Sequence, residues 1–154
     1  MTIALGVDVQ TAPDRQALVA ESQLVVTTTP AKDAVLSADC LHPGLHITAM
    51  GSDQEHKCEL EPACLAKADL YVPDSQAQCA VKGELRSAIE AGLIPADRSF
   101  TELGDITAGR AAGRQSDGDL IIADLTGTGV QDTAIATLAG SRATAAGVGT
   151  TITS

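Results

Sequence analysis

Aromatic residues are nearly absent from the 154-residue chain, which contains one Tyr, one Phe and no Trp. Nucleic-acid-binding modules that stack bases need aromatic platforms, so this scarcity argues against them. The formal net charge of −10 argues in the same direction, because an acidic surface repels phosphate backbones. The composition therefore predicts no nucleic-acid partner.

Long apolar runs are also missing, and none approaches the roughly 20 residues that a helix needs to cross a bilayer. The first ten residues lack the basic start and apolar stretch of a secretory signal. The four cysteines, at positions 40, 58, 64 and 79, form no C-x-x-C pair. We interpret them as reduced thiols of a cytoplasmic protein without a membrane partner, with a metal site as the alternative.

What the chain does have is a hydrophobic content of 44%, enough for one buried core, and short apolar runs that alternate with helical patterns. The predicted strands cover residues 7–10, 23–28, 46–50, 70–72 and 120–124, and residues 23–28 are apolar enough to be buried on both faces. The predicted helices cover residues 14–21, 37–41, 61–68 and 75–91, and a last helix begins at the capping box Thr128-x-x-Gln131. This alternation predicts a single α/β domain, residues 1–154, whose parallel sheet has helices on both sides.

Ligands of such sheets bind beyond the carboxyl ends of the strands, so the residues that follow each predicted strand are the candidates for a site. These residues are small and polar, and many carry hydroxyl groups. They are Thr28, Thr29 and Pro30, then residues 51–53, then residues 73–75, then residues 125–129. The pattern is consistent with a nucleotide-binding rim, but the ordinary capping preference of such turns explains it equally well.

Asp53 is the most interesting carboxylate, because it follows an uncharged strand and a tight Gly-Ser turn. Such a carboxylate can act as a general base if its pKa rises. The alternative is that Asp53 caps the next segment while Lys57 and Glu59 are solvated. No metal site is predicted from His42 and His46, because Pro43 and Gly44 separate them. Gly127-x-Gly129 is no dinucleotide fingerprint, because the position of the third glycine is occupied by Asp132.

Several ordered motifs together resemble the ornithine cyclodeaminase/mu-crystallin family. They are residues 25–30, 41–53, 102–105, 113–117 and 124–127 with Gln131 and Asp132. Residues 74–79 and 124–129 look most like the branch linked to ectoine utilisation. The resemblance covers only the later half of a typical member.

The resemblance implies NAD as cofactor, a small amino acid as substrate and a cyclodeaminase-like lyase that converts ornithine, or a related diamino acid, to a cyclic product and ammonia. The alternatives are an imine reductase or amino-acid dehydrogenase of the same family, and a non-catalytic truncated relative that acts as a binding partner. The family's acid/base matches Asp53, which with Thr126 is also expected to bind substrate. The expected cofactor-binding residues are Thr28, Thr29, Ile47, Thr48, Ala49, Met50, Lys57 and Leu125.

Two departures from the family pattern matter. Leu125 stands where many relatives have Ser, so a hydroxyl contact is lost. The resemblance also implies a partial Rossmann-like sheet without the first βα unit and its glycine fingerprint. Residues 7–10 and 23–28 would then not be neighbours, and the second of these strands would carry an open apolar edge. We expect a fragment of a longer gene product, or an edge that a rearrangement or a partner chain covers. This portion alone should be inactive, and the longer protein should form a homodimer.

Overall fold

The computed structural model describes residues 6–150 and residue 152. Within them, four parallel strands form one sheet in the order β1-β2-β4-β3. The strands are β1 (Leu24–Thr27), β2 (His46–Ala49), β3 (Leu70–Pro73) and β4 (Ile121–Asp124). The helices are α1 (Arg15–Ala20), α2 (Pro62–Lys67), α3 (Gln76–Lys82), α4 (Glu84–Glu90), α5 (Leu103–Thr107) and α6 (Gly129–Ala146), with a 3₁₀ turn at Ala38–Cys40. The predicted α/β class with a parallel sheet is confirmed.

The predicted strand at residues 7–10 is wrong. The segment has no regular secondary structure, and the side chains of Val7 and Val9 are exposed. The described sheet consists of the other four predicted segments and does not include residues 7–10. A four-residue alternating pattern is a weak signal, because strand formation depends on tertiary context.

The two faces of the sheet are covered unequally. We call one the packed face: its side chains Ile47, Ile122 and Tyr71 belong to the core, together with buried residues of α1, α2, α3 and α4. On the opposite, open face, α5 and the segment around Gly113 lie beside residues of β3, β4 and the start of β2. Helices thus flank both faces, as predicted, but the packed face holds the core.

Strand β1 lies at the edge of the sheet, as the resemblance predicted, and pairs only with β2. The expectation that this strand is buried on both faces is wrong, because Leu24 and Val26 are 59% and 53% exposed on the open face. Gln23 and Thr27 accept hydrogen bonds from β2 and the residue after it, so the main-chain groups of Leu24 and Val26 point to the open edge. The edge is therefore both apolar and unpaired within the described chain.

The single helix predicted over residues 75–91 is two helices, α3 and α4, separated at Gly83. This glycine is extended, with φ −96° and ψ −169°. A Cβ at this position would lie 2.6 Å from Asp124 Oδ2 and 2.8 Å from the Cα of Cys79. The break therefore lets the backbone approach the end of β4 closely, and a new helix begins there.

The last helix, α6, forms where it was predicted, and the Thr128 N–H donates to the Gln131 side chain at its start. None of its described residues is buried, and Val130, Ile135 and Leu138 are exposed. The apolar side chains of this helix are thus not buried by any other segment of the described chain. Over residues 6–150 and 152, no helix combines the length and the apolar character that a membrane span requires.

Candidate functional site

The carboxyl ends of the four strands meet at one edge of the sheet. Thr27, Ala49, Asp124 and Pro73 are the last residues of their strands and are direct neighbours across the ladder. The turns after the strands therefore lie side by side, as parallel pairing requires. This edge is where an open α/β sheet binds ligands.

A depression of about 350 Å³ opens between the turns that follow β1 and β2. Its volume is at the lower end of the range of about 300–1,000 Å³ that is typical of ligand clefts. We call it the β1–β2 depression. Its lining residues are Thr28, Thr29, Pro30, Met50, Gly51, Asp53 and Lys57. The structure thus brings together seven residues that the sequence nominated, of which five were expected to bind the cofactor or to act in catalysis: Thr28, Thr29, Met50, Asp53 and Lys57.

Asp53 and Lys57 form an ion pair in this depression, with 2.6 Å between Lys57 Nζ and Asp53 Oδ1. Lys57, whose hydrogen bond to Asp53 is the largest influence, holds the pKa of the Asp53 carboxyl below its ordinary value. The condition on which Asp53 was expected to act, a raised pKa, is therefore not met. Asp53 is an ionised carboxylate at neutral pH, because its neighbour is a cation and its side chain is 48% exposed.

Some nominated residues lie elsewhere. Ile47 and Ala49 are fully buried on the packed face, and Thr48 points to the opposite, open face. Leu125 is adjacent to β2, because its N–H donates to the Ala49 carbonyl at 2.8 Å. Thr126 is buried and does not line the depression.

The Thr126 hydroxyl belongs to a separate cluster after β3 and β4. It donates to Asp74 Oδ1 at 2.9 Å and accepts a hydrogen bond from the Gln78 side chain at 2.7 Å. Asp74 Oδ2 also accepts from the backbone N–H of Thr126 and of Gly127. This cluster fixes the turn before α6, so the Thr126 side chain already has its hydrogen bonds.

Glu59 was missed as a functional candidate, and the alternative reading that it is solvated is wrong. Its side chain is fully buried. Its carboxylate accepts hydrogen bonds from the Thr27 hydroxyl at 2.6 Å, from the Gly51 N–H at 2.7 Å and from the Thr29 N–H. Lys57 is also largely shielded, with a side chain 17% exposed. The position of Glu59 between Cys58 and Leu60 was the only sequence signal of its burial.

Two further buried carboxylates continue from Glu59 toward β4. Glu84 accepts from the backbone N–H of Glu59 at 2.9 Å and of Leu60 at 3.1 Å. Asp124 accepts from the Glu84 N–H at 2.8 Å and from the Tyr71 hydroxyl at 2.7 Å. We call Glu59, Glu84 and Asp124 the carboxylate ladder. Burial raises the pKa of Glu84 to about 7 and that of Asp124 to about 6.

The histidines and cysteines do not converge on a site. The His42 ring nitrogens contact backbone carbonyl oxygens, among them those of Val19 and Pro43, and His46 lies on the open face. All four cysteines are free, and burial raises the pKa of the Cys64 thiol to about 12. Across residues 6–150 and 152, no group of three or more His, Cys, Asp or Glu side chains could hold a metal ion.

A parallel α/β sheet with a polar depression at its carboxyl edge is the geometry of a Rossmann-like domain. The ornithine cyclodeaminase/mu-crystallin family model matches residues 1–147, and the chain belongs to this family. This confirms the resemblance that the motifs indicated.

Individual relatives are similar in sequence and in structure. An uncharacterized cyclodeaminase of Sinorhizobium fredii, y4tK, is 58% identical over 130 residues, which are 84% of this chain and 39% of the relative. The iminosuccinate reductase of Paracoccus denitrificans, solved in complex with NAD⁺, is 36% identical with a TM-score of 0.85, over 96% of this chain and 44% of the reductase. An archaeal alanine dehydrogenase dimer with bound NAD is 31% identical with a TM-score of 0.85, over 99% of this chain and 47% of the dehydrogenase chain. The chain thus spans less than half the length of these relatives.

Proposed function

We propose that this chain is part of an NAD(H)-dependent enzyme that acts at the α-carbon of an amino acid or of the corresponding imine. The observation that carries the proposal is the Asp53–Lys57 ion pair in the β1–β2 depression, at the carboxyl edge of the sheet. The bound NAD that two similar structures contain supports the choice of cofactor.

The β1–β2 depression fits one half of a dinucleotide in size and chemistry. It offers the hydroxyl groups of Thr28 and Thr29, the apolar side chain of Met50 and the cation of Lys57. We assign these residues to the cofactor, with Leu125 at the neighbouring turn; Ile47, Thr48 and Ala49 can contribute through their strand rather than by lining the depression. When bound, the cofactor supplies reversible hydride transfer.

Asp53 is the proposed acid/base. Its carboxylate is in the ionised form that accepts a proton, but the lowered pKa makes it a weak base while Lys57 is paired with it; its exposure leaves room for the substrate. Lys57 keeps the carboxylate ionised through their hydrogen bond. Thr126 is assigned to the substrate only through the position of its turn, because its hydroxyl is engaged by Asp74 and Gln78.

For the reaction itself we propose a cyclodeaminase-like lyase that forms a cyclic amino acid and ammonia from ornithine or a related diamino acid. The high identity to the Sinorhizobium fredii cyclodeaminase supports this choice. A reductase or dehydrogenase of the same family is the second candidate, and the similar iminosuccinate reductase and alanine dehydrogenase structures support it equally. The ectoine-utilisation branch rests on residues 74–79 and 124–129 alone. A homodimer is proposed for the longer protein, with the dimeric alanine dehydrogenase as support.

The proposal is tested by titrating the 154-residue chain with NAD⁺ and following the backbone amides by NMR. We expect weak, saturable binding with shifts at residues of the β1–β2 depression, and Lys57→Met should weaken it. Lys67→Met, which removes the same cation from an exposed ion pair with Asp39, is the matched control and should change nothing at the depression. The absence of saturable shifts at the depression would contradict the proposal.

The reaction class is tested in a protein of the relatives' full length. Product analysis with ornithine, with a cyclic imino acid and with alanine separates the lyase from the reductase and the dehydrogenase. Asp53→Asn should abolish turnover on the true substrate while NAD⁺ binding remains. Unchanged turnover would remove Asp53 from the catalytic role.

A further inference from the structure

Glu59 gathers hydrogen bonds from the ends of two different strands. Its Oε2 accepts from the Thr27 hydroxyl, at the end of β1, and from the Gly51 N–H, just after β2. Its Oε1 accepts from the Thr29 N–H, in the turn after β1. One side chain therefore links the two turns that form the walls of the β1–β2 depression.

The two amides that Glu59 binds lie beyond the ends of the β1–β2 ladder. The ladder ends at Thr27 and Ala49, so the sheet itself supplies no partner for the Thr29 and Gly51 N–H groups. Buried amides need an acceptor, and a carboxylate with two oxygens can serve both. Glu59 thus extends the connection between the strands into the turns.

Burying a carboxylate is costly, and here no cation offsets the cost. Glu59 is fully buried, and the described residues place no Lys, Arg or His in an ion pair with it. Its three donors alone must compensate for lost hydration. An apolar side chain would fill the same volume more cheaply but would leave the turn amides unsatisfied.

Gly51 makes the close approach possible. A Cβ at this position would overlap the Glu59 carboxylate and the Thr29 carbonyl oxygen. The turn after β2 therefore sits directly against both Glu59 and the turn after β1. The separation of the two turns is set at this contact, which lies beneath the depression that Thr28, Thr29, Met50 and Asp53 line.

We propose that Glu59 is a positioning residue that holds the two turns of the β1–β2 depression at the spacing needed for the cofactor. This rests on the proposed function and adds a residue to it that does not itself line the depression. Glu59 acts on the cofactor indirectly, by holding Thr29 and Gly51 in place. The direct contacts to the cofactor are assigned to Thr29, Met50 and Lys57.

The next member of the carboxylate ladder provides a matched control. Glu84 is as fully buried as Glu59, yet it accepts from the backbone of Glu59 and Leu60 and not from either turn. Glu59→Gln and Glu84→Gln are therefore the same chemical change at the same burial. The two variants differ in the amides they affect: Glu59→Gln affects the amides of the two turns, and Glu84→Gln affects those of Glu59 and Leu60.

The test is amide hydrogen exchange and NAD⁺ titration by NMR, on the 154-residue chain and its variants. In Glu59→Gln, one acceptor oxygen is replaced by an NH₂ group. Exchange should therefore accelerate about tenfold or more at whichever of Thr29 and Gly51 faces that group, and the Kd for NAD⁺ should rise by a similar factor. In Glu84→Gln, acceleration should centre on Glu59 and Leu60, with less than about a threefold change in Kd.

A milder variant covers the case in which Glu59→Gln does not fold. Thr27→Val removes one donor to Glu59 and keeps the shape of the side chain. It should accelerate exchange at Thr29 and Gly51 by a smaller factor than Glu59→Gln does, and it should raise the Kd for NAD⁺ by a correspondingly smaller factor.

The outcomes separate the two proposals. Equal effects of the two Gln variants on Kd and exchange, or unchanged exchange at Thr29 and Gly51 in the folded Glu59 or Thr27 variant, overturn the positioning role. If the unmodified chain shows no NAD⁺ binding, the proposed function is contradicted, while the exchange data still decide whether Glu59 holds the turns.

Discussion

Two kinds of carboxylate lie at the same edge of this sheet, and they are held in opposite ways. Asp53 is half exposed, is paired with Lys57 and has a lowered pKa. Glu84 and Asp124 are fully buried, have no ion-pair partner among the described residues, and have raised pKa values. The comparison shows that the surface carboxylate is open to solvent and paired with a cation, whereas the buried carboxylates accept hydrogen bonds from the backbone.

The largest effect should come from removing the carboxylate at the end of β4. Asp124→Ala leaves the Tyr71 hydroxyl and the Glu84 and Leu85 amides without their acceptor. We expect a loss of about 3–5 kcal/mol in the free energy of unfolding, measured by urea denaturation. Asp53→Ala is the control and should cost no more than about 1 kcal/mol. Equal losses in the free energy of unfolding for the two variants would contradict the distinction between the buried and the exposed carboxylates.

The pH dependence of stability should also distinguish the buried carboxylates from the exposed one. Because the pKa values of Glu84 and Asp124 are raised to about 7 and about 6, the folded state binds more protons than the unfolded state above about pH 4. Their contribution is therefore fully present below their unfolded values and is lost as the pH rises through 6 to 7. The Asp124 Oδ1 atom strengthens this expectation, since it is buried without a hydrogen-bond partner.

We expect the free energy of unfolding to fall on the order of 4–5 kcal/mol between pH 4.5 and pH 7.5, with a flatter curve for Glu84→Gln. The contribution of Asp53 to stability has the opposite sign, because its pKa is lowered in the folded state. It stabilises the fold at pH values above the ordinary pKa of an aspartate, and it disappears as the pH falls through the lowered pKa of the folded state. Stability that rises from pH 4.5 to pH 7.5 would contradict the assignment for the buried groups.

The close approach at Gly83 can be tested by adding one carbon atom. Gly83→Ala places a Cβ against Asp124 and Cys79, so the start of α4 must move away from the carboxylate. We expect a loss of about 1–3 kcal/mol in urea denaturation. Gly104→Ala, in the helix α5, adds a Cβ that meets open space and should be neutral or stabilising by comparison. If Gly83→Ala leaves the free energy of unfolding unchanged, the break between α3 and α4 can accommodate a Cβ atom.

The smallest effect concerns the ion pair itself. Lys57→Met should return the pKa of Asp53 toward its ordinary value, because the hydrogen bond from Lys57 is the largest influence on that pKa. The change in stability should stay within about 1 kcal/mol, because the Asp53 side chain of the pair is half exposed. An NMR titration of the Asp53 side-chain carboxyl carbon measures the shift, with Asp39 as an exposed reference.

Apolar periodicity in the sequence determined most of the secondary structure. All four strands of the sheet and the ends of most helices follow from runs such as residues 46–50 and from caps such as the one before α6. These signals are local, so neighbouring residues carry them. Thr28, Thr29, Pro30, Gly51 and Asp53 of the β1–β2 depression follow from the same logic, since parallel strands end at one edge, whereas Met50 and Lys57 were expected there from the family resemblance.

Tertiary structure alone decided the electrostatics of the edge. Glu59 meets Thr27 across 32 positions of the chain, and Asp124 meets the Glu84 amide across 40. No local pattern specifies such pairings, because they depend on how the strands and helices pack. The same packing broke the predicted helix at Gly83, and residues 7–10 do not form the strand that their local pattern predicted. The sequence thus determined which segments form the sheet and its turns, whereas packing determined which acids are buried, which one is exposed and how each is charged.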